Sequence, residues 1–281
     1  MPKLCPIQPL LNTAQRNGAA IAALNFYNAE TLIAHSGAAK SLKASIILQT
    51  TESTINYLGL RMIVSMATAA AEELEQPIAL HLDHGGSYDL AARCIEYGYT
   101  SVMIDGSKLP FADNVVLTRR VAELAHSTDV SVEGELGHVS HNDEISGDDI
   151  TRFYTRSEDA AQFVKETKVD ALAVAVGTAH GFYKGEVRLD FDRLTQIKNA
   201  VGSTALVLHG GSGVPKELLR RAIDCGIAKI NFGTELKDAF TRGIKLSLCN
   251  TDEIDLRKTF APAIDAVRNV SLEKISLCRG Y

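Results

Sequence analysis

Eight short runs rich in apolar and β-branched residues recur along this chain, with segments of helical spacing between them, and no other feature limits its fold so tightly. The runs cover residues 19–26, 45–50, 77–83, 100–105, 130–136, 170–177, 205–210 and 228–232. Several are apolar almost throughout, as parallel strands covered on both faces must be. Between them, Leu60, Ile63, Val64, Ala67 and Leu74 share one helical stripe, as do Phe111, Val115 and Leu124, and again Leu218, Leu219, Ala222 and Ile223. Eight strand–helix units with no Pro/Gly-rich linker between them predict one closed (β/α)8 barrel, a single domain over residues 1–281, with residues 255–278 as an additional C-terminal helix. A doubly wound open sheet would carry fewer strands and a glycine-rich dinucleotide turn after the first. Here the first strand ends in Asn25-Phe26-Tyr27-Asn28, which argues against NAD binding.

Composition narrows the function classes. With 46% hydrophobic and 22% charged residues the chain has the makings of a large core and none of the signature of disorder. Lys and Arg number 29 against 34 Asp and Glu, a net charge of −5, and no basic run offers a footprint for nucleic acid. The five cysteines (Cys5, Cys94, Cys225, Cys249, Cys278) are odd in number and far apart without CxxC spacing, which fits a reducing cytoplasm better than a disulfide framework or a thiolate zinc cluster. The opening MPKLCPIQPLL has no apolar leader region, and no apolar run reaches about 18 residues, so neither export nor membrane insertion is expected.

Chemistry in such a barrel sits at the carboxyl ends of the strands. Those ends read HLDHGGS, MIDGS, VEGELGH, GTAHG, LHGGSG and INFGTE. Imidazoles from three of them, His84, His180 and His209, can converge above the barrel, the three-ligand pattern of an open catalytic zinc site. Asp83 precedes His84 directly and is placed either to move a proton on a coordinated substrate or to cap the next helix, a job for which Ser87 is equally suited. Asp105 and Glu135 also end strands and fit three roles: partners of the metal-binding imidazoles, alternative ligands, or loop caps. Of the other histidines, His35 and His126 are expected on the solvent faces of helices and His81 inside the barrel with its hydrogen bonds satisfied. His138 and His141 follow strand 5 without a clear role.

Two turns after strands 7 and 8, His209-Gly210-Gly211-Ser212-Gly213 and Asn231-Phe232-Gly233-Thr234, carry glycines where strand gives way to helix. They are either ordinary tight turns or an anion site of backbone N–H groups at a helix start, in the place where many barrels hold phosphate. No GxxxxGK[ST] occurs, so a nucleoside triphosphate is not implied.

Together HLDHGGS, SVMIDGS, VEGELG, AVAVGTAHGFYKGE, LVLHGGSG and AKINFGTELKDAF closely resemble the class II, zinc-dependent fructose-bisphosphate aldolase family along nearly the whole chain. The short chain and the GTELKDAF segment look most like its tagatose-bisphosphate aldolase branch. The resemblance implies Zn2+ on His84, His180 and His209, Asp83 as the proton-transfer group, and Asp105 and Glu135 as contacts of an alternative metal position. It implies a dihydroxyacetone-phosphate end surrounded by Gly181, Lys184, Gly210, Gly211, Ser212, Asn231, Gly233 and Thr234, with Asn25 beside them and a monovalent cation, Na+ or K+, nearby. Thr51 and Arg257 match residues at the distal phosphate, the arginine reaching into a neighbouring subunit, so a homodimer or homotetramer is expected. The implied reaction is reversible cleavage of a ketose 1,6-bisphosphate, tagatose favoured, with fructose 1,6-bisphosphate or another ketose phosphate as the alternative.

The sequence departs from the family after strand 5, where a glycine pair followed by acids is replaced by Ser140-His141-Asn142-Asp143-Glu144. Asp143 falls at the position of the loop glutamate that exchanges the substrate proton, one methylene shorter, with Glu144 next to it. A Schiff-base aldolase would need a lysine at a strand end, and strand 6 has none, while Lys229 is expected at the start of strand 8, the wrong end. A metal-dependent hydrolase would often carry HxH on strand 1, which is missing, and a sugar-phosphate sensor without turnover is the non-enzymatic competitor.

Overall fold

The computed structural model describes residues 4–137, 153–183, 185–250 (the Asn250 side chain excepted) and 253–280. Among these residues eight parallel strands close in sequence order: β1 (Ile21–Asn25), β2 (Ile47–Thr51), β3 (Ala79–Gly85), β4 (Ser101–Ile104), β5 (Ser131–Leu136), β6 (Ala171–Val174), β7 (Ala205–Leu208) and β8 (Ile227–Phe232). Closure comes from β1 on β8, with Ile21 opposite Lys229 and Leu24 opposite Phe232. The expected barrel is therefore present, each strand within a few residues of its predicted run.

Helices α1 (Ile7–Arg16), α2 (Ala29–Leu42), α3 (Glu52–Leu58), α4 (Leu60–Glu72), α5 (Tyr88–Tyr97) and α6 (Phe111–His126) belong to the first half. The second half carries α7 (Ser157–Thr167), α8 (Phe191–Val201), α9 (Lys216–Asp224), α10 (Thr234–Asn250), α11 (Leu256–Thr259) and α12 (Ala261–Arg279). The expected C-terminal helix is thus a short turn followed by α12. None of these helices is long and apolar enough to cross a membrane.

Side chains alternate across each strand, so the barrel has two cores. Outward residues such as Leu24, Leu48, Leu80, Val102 and Leu172 pack on the helices. Inward residues are mostly small, among them Ala23, Ala79, Ala171, Ala173, Ala205 and Ala228, and α1 closes the amino end of the barrel with Ile7, Leu10 and Leu11. Alanine on so many inward positions leaves room for a few large polar side chains, and His81, Glu133 and Lys229 take it at 0% exposure.

Helix starts follow the residues that supply them. Asn28 accepts from the Thr31 N–H at the start of α2, and Thr31 bonds back to the Asn28 N–H, a reciprocal cap. Ser87 caps α5 by accepting from Leu90 N–H, so the capping role belongs to Ser87 and leaves Asp83 free.

His35 corrects an expectation. It lies on α2 but is fully buried against α12, with Nδ1 2.8 Å from Ser271 Oγ and Nε2 3.1 Å from the Asn25 carbonyl oxygen. Helix spacing marks which positions share a face; it does not show that α12 comes back to cover this one. His126 behaves as expected, half exposed, with Nε2 3.0 Å from Asp170 Oδ2. His81 is the expected interior histidine, with Nδ1 2.8 Å from Ser101 Oγ.

Burial lowers the His35 pKa from 6.5 to about 4, with the Asn25 carbonyl opposing the shift. The unfolded chain therefore takes up this proton first, and the stability His35 confers is complete above about pH 6.5 and lost as pH falls toward about 4. The full loss is on the order of 3 kcal/mol. His35→Gln should be less stable than wild type at pH 7 yet lose less stability between pH 7 and pH 4.5 in urea unfolding. Equal losses in the two proteins would contradict the assignment.

Candidate active site and metal centre

Three carboxyl ends deliver the imidazoles: His84 in β3, His180 in the connection after β6, and His209 directly after β7. The His84 ring lies 4.6 Å from that of His209 and 5.0 Å from that of His180, and His180 and His209 are 6.1 Å apart. One ligand nitrogen from each lies within 4.8 Å of the others. A second donor set, His84, Asp105 and Glu135, meets the same limit. The structure thus brings together the expected histidines and both carboxylates of the alternative set.

Local backbone holds them there. His84 has φ 50°, a left-handed conformation that costs a non-glycine residue of order 1–3 kcal/mol, at a register shift between β3 and β4. The next residue must be glycine, since a Cβ on Gly85 would stand 2.4 Å from the Met103 carbonyl oxygen. Gly210 has φ 68° and would carry a Cβ 2.4 Å from the Ala179 carbonyl oxygen, so the loops bearing His180 and His209 touch backbone to backbone. Tyr183 pins them together: its hydroxyl accepts from Ala179 N–H and donates to the Gly210 carbonyl oxygen, both at 2.9 Å.

Hydrogen bonds fix which nitrogen each ring offers. His84 Nδ1 lies 2.9 Å from Asp105 Oδ2 and His209 Nε2 2.7 Å from Glu133 Oε1. Each carboxylate accepts an N–H, so the remaining nitrogens, His84 Nε2 and His209 Nδ1, face each other 3.0 Å apart. Burial disfavours charge on His84, but Asp83, Asp105 and Glu135 outweigh it and hold its pKa up at about 10. Burial, reinforced by His84 and Lys229, keeps His209 well below its usual value and neutral. One proton shared between the two facing nitrogens thus stands where three carboxylates call for more positive charge. Imidazoles backed by carboxylates, in a nest of negative charge that now holds only one shared proton, fit a divalent cation taking that proton's place.

Asp83 is 5% exposed, with Oδ1 3.9 Å from His84 Nε2. Asn25 Nδ2 donates to its Oδ2 at 2.9 Å and Asn231 Nδ2 to its Oδ1 at 3.1 Å, while Gln49 Nε2 donates to Asn25 Oδ1. Burial opposes ionisation of Asp83, but neighbouring positive charge, chiefly His84, and the Asn25 amide keep its carboxyl below the usual range. An ionised carboxylate on the edge of the cation site, held by two amides, can accept a proton from a bound hydroxyl.

A cleft of about 580 Å3 opens over these groups. Of the expected residues it is lined by Asn25, Thr51, Asp83, His84, Asp105, Glu135, His180, Gly181, Gly210, Ser212, Asn231, Gly233 and Thr234. Buried Ser212 Oγ accepts from the Gly233 and Glu235 N–H groups at the start of α10, both at 3.3 Å, and Glu235 Oε1 takes the Gly213 N–H. Each of these three amides, at the start of α10 and in the turn after β7, thus already donates to a side chain of the chain itself. Gly211 lies just outside the cleft, its N–H bonded to the Asn231 carbonyl oxygen. Arg257 is exposed, pairs with Asp255 at 2.8 Å and does not line this chain's cleft. Lys184, Asp143 and Glu144 lie outside the described residues.

Tyr27, Ser53, Lys108 and Lys237 also line the cleft and escaped the sequence reading. Tyr27 and Lys108 lie in connections beyond a strand end and Ser53 and Lys237 in the first turns of α3 and α10, where the path from strand to helix, not the strand register, decides whether a side chain turns inward. Glu133 was missed for a different reason: it lies mid-strand, below the level where function is sought. Lys229 is not a free amine; its Nζ donates to Glu133 Oε2 at 2.8 Å, fully buried.

The sequence model described as "Fructose-bisphosphate aldolase class-II" matches residues 6–280. Among solved structures, an aldolase of Escherichia coli K12, YdjI, shares 33% identity over 98% of this chain and 97% of its own, with a TM-score of 0.87. A candidate fructose-1,6-bisphosphate aldolase of Coccidioides immitis shares 26% over 96% of each chain, with a TM-score of 0.85. A fructose-bisphosphate aldolase of Campylobacter jejuni, 21% identical over 98% of this chain and 95% of its own with a TM-score of 0.83, bears on the fold alone.

Gly210→Ala should lower stability by about 1–3 kcal/mol, because the left-handed φ and the Ala179 carbonyl both oppose a Cβ. Thermal melting checks this, and an unchanged midpoint would show that the two loops are not locked.

Proposed function

The chain belongs to the class II fructose-bisphosphate aldolase family, metal-dependent carbon–carbon lyases that cleave ketose bisphosphates, and from that premise we propose that it is a zinc-dependent tagatose-1,6-bisphosphate aldolase. The products would be dihydroxyacetone phosphate and glyceraldehyde 3-phosphate. The observation that carries the reading is the convergence of His84 Nε2 and His209 Nδ1, 3.0 Å apart, with Asp83 Oδ1 at 3.9 Å from the former. The GTELKDAF segment and the short chain support the tagatose branch. Five free thiols are in keeping with a reducing cytoplasm.

His84, His180 and His209 would hold Zn2+, with Asp105 and Glu135 as an alternative position for it. Bound there, the ion would supply a Lewis acid to the ketose C2 carbonyl and C3 oxygen, taking up charge that develops at C3. Asp83 accepts the C4 hydroxyl proton as the C3–C4 bond breaks, and the aldehyde half leaves with its carbonyl formed at C4. Asn25 and Asn231 keep that carboxylate aimed, each donating to one of its oxygens. The three-carbon fragment then receives a proton at C3, for which Asp143 or Glu144 is the assigned loop acid. Gly210, Ser212, Gly233 and Thr234, which line the cleft beside the turns after β7 and β8, are assigned to its phosphate, and Lys237 brings a positive charge to the same cleft. Binding the phosphate fixes the reacting carbons without contacting them, so its energy goes into orientation. Thr51 and a partner's Arg257 are assigned to the distal phosphate, which makes a homo-oligomer part of the proposal.

Chelation by EDTA should abolish cleavage and zinc should restore it, while borohydride with substrate should trap nothing. Trapping of substrate on a lysine would overturn the metal mechanism. Asp83→Ala should keep stoichiometric zinc and lose about 10²–10⁴ in kcat, as removal of a general base does. His209→Ala should lose zinc and activity together. Side-by-side kcat/KM values on tagatose and fructose 1,6-bisphosphates and a 2-keto-3-deoxy-6-phosphogluconate decide the substrate. A higher value for either of the latter two would replace tagatose.

A further inference from the structure

Beneath the site lies a second polar layer. Side chains two apart on a strand point the same way, so His81 stands directly below Asp83 on β3, Glu133 below Glu135 on β5, and Lys229 below Asn231 on β8. All three are 0% exposed, among interior neighbours that are otherwise mostly alanine. Glu133 uses both oxygens, taking His209 Nε2–H at 2.7 Å and Lys229 Nζ–H at 2.8 Å. Behind Lys229, His81 Nε2 is at 3.5 Å, and its Nδ1 is 2.8 Å from Ser101 Oγ. Lysine can only donate, so His81 accepts at Nε2 and carries its proton on Nδ1 toward Ser101.

A buried ion pair of this kind is a poor way to stabilise a fold, since apolar residues of like volume serve as well or better. Its geometry points to another use. We propose that Glu133, clamped by Lys229 and backed by His81, is a positioning residue that locks His209 in the Nε2–H tautomer, leaves the Nδ1 lone pair toward the metal position, and thereby sets the protein's zinc affinity. The inference rests on the reading of His209 as a zinc ligand. Asp105 plays the matching part for His84 from the exposed side, but Glu133 acts from inside the barrel, where a misplaced ring has no water to fall back on.

Removing one charge alone would leave the other buried and unpaired, so the test changes both. Glu133→Leu with Lys229→Met removes the acceptor without stranding a charge. Zinc affinity by chelator competition on the full-length protein should fall roughly ten- to hundredfold, as loss of a ligand's carboxylate partner does. Co2+ loaded in place of zinc should show an altered visible spectrum, while circular dichroism stays that of wild type. A folded double variant with wild-type zinc affinity and an unchanged cobalt spectrum would overturn the proposal and leave the pair a packing element. If the leucine variant does not fold, Glu133→Met with Lys229→Met keeps the side-chain length, also removes the carboxylate acceptor without stranding a charge, and decides in the same way: about tenfold weaker binding sustains the proposal and wild-type binding overturns it. His209→Ala separates the two levels, because if it too binds zinc like wild type, the ligand reading falls and this proposal with it.

Discussion

Closure of β1 onto β8 is the constraint on which the site depends. Parallel pairing of Ile21 with Lys229 through Leu24 with Phe232 sets the height of the first strand against the last. That register puts Asn25 and Asn231, which lie 206 residues apart in the chain, on opposite oxygens of one carboxylate, Asp83. A slip of one residue would turn every inward side chain of a strand outward. The apolar outward faces of the strands, fully buried against the helices, oppose such a slip around the whole ring.

Charge on the site layer is balanced against strain and burial. Three carboxylates, Asp83, Asp105 and Glu135, surround two facing imidazoles, and the left-handed backbone of His84 holds one of those rings in place. Such strain persists only where surrounding structure over-determines it, here the Asp105 hydrogen bond and the close approach of Gly85 to Met103. Helix α12, outside the eight strand–helix units, braces the same layer twice. Ser271 reaches the Asn25 carbonyl through His35, and Lys274, 2.8 Å from Glu235, supports the carboxylate that holds the Gly213 N–H in the turn after β7. The added helix is therefore part of what shapes the cleft.

Periodicity made the barrel legible, because strands covered on both faces leave long apolar runs and because polar residues cluster at their carboxyl ends. Asp83, His84 and His209 are legible for the same reason, since they sit at strand ends where register decides position; His180 lies in the connection after β6 and owes its place to the contacts of Ala179 with Gly210 and Tyr183. What stayed hidden depends on contacts between distant segments. His35 looked like a solvent-facing helix residue because its cover, α12, lies 236 residues away at Ser271. Lys229 looked misplaced because its partner Glu133 is on another strand, and the two-residue offsets that layer His81, Glu133 and Lys229 beneath the site have meaning only once the barrel is closed. Lys108, in a loop, and Lys237, in the first turn of α10, depend on paths from strand to helix that no strand pattern encodes.

In the proposed enzyme three imidazoles share one metal ion while Asp83 stays off it, free to take a proton. Anomalous scattering at the zinc absorption edge from crystals of the zinc-loaded protein tests it directly. The expected result is one strong peak about 2.0–2.1 Å from a nitrogen of each of His84, His180 and His209, with Asp83 beyond bonding distance and still hydrogen-bonded to Asn25 and Asn231. A peak elsewhere, or one with Asp83 as a ligand, would contradict the account.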